Sequence, residues 1–102
     1  MEVIKWDPKK DGAFSEAKLR KKLEELGYHV SRYVYPPGTY FPDHTHEIDK
    51  IDGVVSGRFR MTTQEGEIIL EEGDCLAVPR RTVHSAEVLG NKPVVSLDAT
   101  KV

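Results

Sequence analysis

The chain has 102 residues, enough for one compact core and too few for two domains of ordinary size. Its 15 Lys and Arg stand against 17 Asp and Glu, and a net charge of -2 leaves no basic excess to attract nucleic acid. A single cysteine, Cys75, excludes an internal disulfide and any cysteine-rich metal cluster, so a metal site has to be built from histidine and oxygen.

No apolar run approaches the ~20 residues that a membrane-spanning helix needs, and the opening MEVIKWDPKK has no signal-peptide character. A cytoplasmic protein without a membrane role is expected. Glu2 to Trp6 suits a short strand, and Asp7-Pro8 and Asp11-Gly12 then break regular structure, leaving a charged connection between them. From Ser15 to Leu26 the pattern turns helical. Leu19, Leu23 and Leu26 recur at the right spacing, Ser15 can cap the start, and Gly27 suits the left-handed position past the end. The charged face Arg20, Lys21, Lys22, Glu24 and Glu25 reads as a solvated surface.

Beyond Gly27 the signal is all β. Runs rich in β-formers cover 28–35, 51–55, 58–63, 67–70, 75–78, 84–89 and 94–99, divided by Pro36-Pro37-Gly38, Gln64-Glu65-Gly66, Glu72-Gly73-Asp74 and Gly90-Asn91-Lys92-Pro93. Short strands so closely spaced, with no helix between them, imply an antiparallel barrel or sandwich. Residues 1–27 then form a strand and helix packed on a barrel of residues 28–102, a single domain overall.

Chemistry concentrates on histidine. On a strand, His44 and His46 leave from the same face and can converge on one ion, and imidazole suits zinc, copper, iron and nickel. The plain alternative is two histidines satisfied by Asp43 and Glu47. His29 matches no motif and reads as structural. Phe59 and Met61 share a parity that can line an interior, with Arg58 and Arg60 facing outward. Cys75 reads as a small apolar core residue.

The frame around these histidines resembles the cupin superfamily. Its first motif, G-x5-H-x-H-x3-E-x6-G, is met by Gly38, His44, His46 and Gly57, and its second, G-x5-P-x-G-x2-H-x3-N, by Gly73, Pro79 and His84. The resemblance covers roughly Val30 to Ala99. It implies a mostly β fold, the double-stranded β-helix or jelly-roll barrel, here with one short N-terminal helix. It also implies His84 as third ligand beside His44 and His46 for a divalent ion, iron, zinc, nickel or manganese, and a cavity for a small-molecule ligand. Three positions depart from the pattern: Lys50 replaces the metal-binding glutamate, Arg81 the inner glycine and Val88 the asparagine.

Lys50 leaves three readings open. Its side chain turns away and three neutral histidines keep the metal, as in centres similar to those of the thiol dioxygenase branch; or it anchors an anionic ligand; or its charge abolishes metal binding. Lys50, Met61 and Arg81 are the candidate ligand-binding residues, with Arg80-Arg81 as an anion-attracting lip. The resemblance is compatible with metal-dependent, dioxygenase-like activity and equally with a non-catalytic binding or structural module. A homodimer is expected, with the strand from Glu2 to Trp6 adding to a partner's sheet.

Overall fold

A computed structural model describes residues 1–102. Nine strands form two antiparallel sheets: β1 (Glu2–Ile4), β2 (Tyr28–Tyr35), β3 (Tyr40–His44), β4 (Lys50–Ser56), β5 (Arg58–Thr63), β6 (Gly66–Leu70), β7 (Cys75–Val78), β8 (His84–Leu89) and β9 (Val94–Lys101). The first sheet runs β1-β7-β4-β9-β2 and the second β3-β8-β5-β6. This is the jelly-roll arrangement, with helices at the N-terminal end.

Alternation places the core. In β8 the pattern is strictly buried then half-buried, because one face meets the other sheet and the other meets solvent. In β4 residues Lys50–Val54 are all buried, because both faces are covered. Val54, Leu76, Val78 and Val94 face the second sheet, packing with Phe59, Met61, Leu70, Ala86 and Val88. Ile51, Cys75, Leu97 and Ala99 point outward, beneath helix α2 (Glu16–Glu25), where they meet Leu19 and Leu23.

Helix α2 starts at Ser15, whose Oγ accepts from the Lys18 amide at 3.2 Å. It ends in Gly27 at φ 93, and Leu26, expected on its apolar face, is 47% exposed at the C-cap. Asp7-Pro8, read as a breaker, instead starts a one-turn helix, α1 (Pro8–Asp11). Asp7 accepts from the Lys9 amide at 3.0 Å and Pro8 takes a first-turn position, where its missing N–H costs nothing. Strand β1 is shorter than expected, and its register with β7 pairs Val3 with Leu76. Pairing with β7 leaves β1 at the end of its sheet, with one backbone edge unpaired.

Candidate metal centre

Strand β3 lies at an edge of the second sheet, which is why it tolerates Pro42 without losing a ladder hydrogen bond. It pairs with β8, and after a register shift past Phe41 it brings His44 directly opposite His84. His46 was expected on the same strand as His44. It lies instead just past the strand's end, in the bend leading to β4.

The three rings nevertheless converge. Centroids are 4.2 Å apart for His44 and His84, 4.9 Å for His44 and His46, and 5.2 Å for His46 and His84. One ligand nitrogen from each lies within 4.8 Å of the other two. His44 Nδ1 meets the Pro42 carbonyl at 2.7 Å and His84 Nδ1 meets the Thr82 carbonyl at 2.8 Å. A carbonyl oxygen only accepts, so each Nδ1 carries the proton and each Nε2 keeps its lone pair. Such a donor set fits a divalent transition ion held by neutral imidazoles with room for a further ligand. His46 is held below its ordinary value of 6.5, first by burial and then by the charges of Lys50, His44 and His84.

The loop carrying His46 is clamped to the turn before β8. Arg81 donates its amide to the His46 carbonyl at 2.7 Å, and Arg80 donates its amide to Asp49 Oδ1 at 2.8 Å. Arg81 stands at the motif glycine and adopts the left-handed conformation, φ 65, that glycine takes easily. Its side chain is exposed, with Nε 3.5 Å from Glu47 Oε2, and does not line the histidine cavity.

That cavity, of about 160 Å³, is lined by the three histidines, Tyr35, Phe41, Phe59, Met61, Ala86, Lys50, Asp52 and Asp98. Met61 therefore stands in its wall, as does Lys50. The aromatic side packs closely: Tyr35 lies 4.9 Å from Phe41 and 5.8 Å from Phe59, ring centre to ring centre. Burial, then the nearby Asp98 and Asp52, push the Tyr35 phenol up to about 12.

Lys50 neither turns away nor reaches the rim. It is 8% exposed, with Nζ 2.8 Å from Asp98 Oδ1, 2.9 Å from Asp98 Oδ2 and 3.7 Å from Asp52 Oδ1. Burial works against its charge, but the two carboxylates outweigh burial and its pKa is raised. Burial raises Asp52, with Lys50 opposing. Sequence reasoning did not single out either aspartate. The available signal was a charged residue inside otherwise apolar runs, IDGVV and VVSLDAT, with Asp52 two positions from Lys50.

His29 is exposed on β2, and Asp43 and Glu47 are exposed outside the triad. Cys75 faces α2, and burial pushes its thiol up to about 12. No helix is long and apolar enough to cross a membrane.

No curated protein matches the chain. Among solved structures, a cupin-like protein from Thermotoga maritima superposes with TM-score 0.65 at 22% identity, over 74% of this chain and 57% of that one. A cupin protein from Bacteroides fragilis gives 0.64 at 26% identity, over 81% and 72%. A variant of Bacillus subtilis oxalate decarboxylase gives 0.65 at 25% identity, over 74% of this chain but 22% of that one. The model of the cupin domain family matches residues 31–100, which include both histidine motifs and every cavity-lining residue. The chain belongs to the cupin domain family.

Proposed function

We propose that this cupin uses His44, His46 and His84 to hold one divalent metal ion, iron, zinc, nickel or manganese, and takes a small molecule into the adjoining cavity. The carrying observation is the pair of Nδ1–H to carbonyl bonds at His44 and His84, which leave Nε2 as the nitrogen able to bind metal. When bound, such an ion supplies Lewis acidity and an open coordination position, and iron adds access to oxygen-dependent oxidation. The chain's own contribution is orientation and exclusion. Tyr35, Phe41 and Phe59 give the cavity an apolar side, and its about 160 Å³ admits only a ligand of a few heavy atoms.

The second reading is a non-catalytic binding or structural module. It draws on Lys50, which replaces the carboxylate ligand of the family pattern with a cation inside the same cavity. Elemental mass spectrometry on protein purified without chelator separates the two. About one equivalent of metal in the parent, lost in His44→Ala and His84→Ala, supports the metal centre. No metal after reconstitution leaves the module.

A homodimer and a cytoplasmic location belong to the same proposal. Both ends of the first sheet are free for pairing with a second copy, β1 at one and β2, with Tyr33 and Val34 exposed, at the other. Light scattering on the eluted protein tests it, and a monomer removes it.

A further inference from the structure

Asp52 and Asp98 are direct partners in the register of β4 and β9, so two carboxylates face one another inside the histidine cavity. Like charges so placed repel. A carboxylate in a cavity with three imidazoles is also a ready oxygen ligand for any ion they hold. Lys50 lies two residues from Asp52 on the same strand face, and its ammonium meets both oxygens of Asp98 and one of Asp52. No other cationic side chain lines the cavity apart from the histidines.

We infer that Lys50 is a specificity-determining tether: it holds Asp52 and Asp98 away from the metal position, so that the remaining coordination position is kept for a small anionic ligand. The inference rests on the three-histidine reading above and goes beyond it by naming the ligand class. Lys50, Asp52 and Asp98 together carry one positive and two negative charges, a net of one negative. Three neutral imidazoles cancel none of a divalent ion's charge. The assembled site is therefore cationic by one unit, which favours a monoanion with one metal-binding atom, such as a small carboxylate or thiolate. Freed of Lys50, either aspartate would take that position and neutralise the site.

The test uses the full chain loaded with cobalt(II), whose visible bands shift with the identity of its ligands, titrated with azide as the anion. The parent is expected to show intense absorption that changes on azide binding. Lys50→Gln and Lys50→Gln/Asp98→Asn are expected to keep cobalt, to show bands shifted from the parent's before azide is added, and to bind azide about tenfold less tightly or worse. The double variant keeps the parent's net charge in the network, so it separates loss of the tether from gain of negative charge, and it serves if the single variant does not fold. Lys50→Arg is expected to behave as the parent. Cobalt bound in the double variant with the parent's spectrum and azide affinity overturns the tether alone. A parent that takes up no cobalt overturns the three-histidine centre, and the tether falls with it.

Discussion

His44 and His84 face each other as direct partners across β3 and β8, their rings 4.2 Å apart, although 40 positions separate them in the chain. Each donates Nδ1–H to the carbonyl two residues before it, Pro42 for one and Thr82 for the other. The same local bond, made twice on adjacent strands, aims two Nε2 atoms at one place. Replacing either ring with glutamine should lower zinc affinity by about a hundredfold or more, measured by competition with a chromophoric chelator. His29→Gln, at an exposed position on β2, should leave it unchanged.

The pH response of the metal-free protein follows from His46. Burial, then Lys50, His44 and His84, hold its folded pKa below 6.5, so the unfolded chain binds the proton more readily than the fold does. Its stabilising contribution is complete above the unfolded value and is lost as pH falls through the folded one. Urea midpoints of apo-protein should rise between about pH 5.5 and pH 7.5, and His46→Gln should flatten that rise. Asp52, raised by burial, runs the other way in the acid range, and the difference between parent and His46→Gln removes it.

Lys50 also bears on stability. Lys50→Met leaves the buried Asp52 facing the half-buried Asp98 without a counter-charge and should cost about 3 kcal/mol in urea unfolding. Adding Asp52→Asn and Asp98→Asn should recover most of it. By contrast, Glu16→Ala removes a 2.8 Å pair with Arg32 that is open to water, and should cost under about 1 kcal/mol.

Two residues in the left-handed region should respond in opposite directions. A Cβ on Gly57, at φ 88, would lie 2.4 Å from the Pro93 carbonyl oxygen, so Gly57→Ala should destabilise by about 2 kcal/mol or more. Arg81, at φ 65, is a side-chain-bearing residue at a glycine position, so Arg81→Gly should raise the midpoint by up to about 1 kcal/mol equivalent. Denaturant titration reads both.

Much of this architecture could be read from the chain because β-runs were bounded by turn residues. The spans 28–35, 58–63, 75–78 and 84–89 coincide with observed strands, and Phe59 and Met61 are buried while Arg58 and Arg60 are not. His44 reads as lying on a strand, but no β-run extends over 40–44, where Pro42 argues against a strand and only a place at a sheet edge makes proline acceptable. Helix α1 was missed because Asp-Pro signals a break and a helix start with the same two residues. The least legible feature was the direction of Lys50. A buried lysine is costly alone, and Asp98, which pairs with it, sits 48 positions away on a strand whose register only the fold supplies.

Cys75 lies sealed between the first sheet and α2, its Sγ so near Gly53 that a Cβ there would come within 3.1 Å. As the chain's sole thiol it is a built-in clock for the undocking of that helix. A chromogenic disulfide reagent can reach it only when Leu19 and Leu23 lift off, so labelling kinetics report local opening without any introduced probe. The same seal puts the thiol on the face of the sheet opposite the histidine cavity.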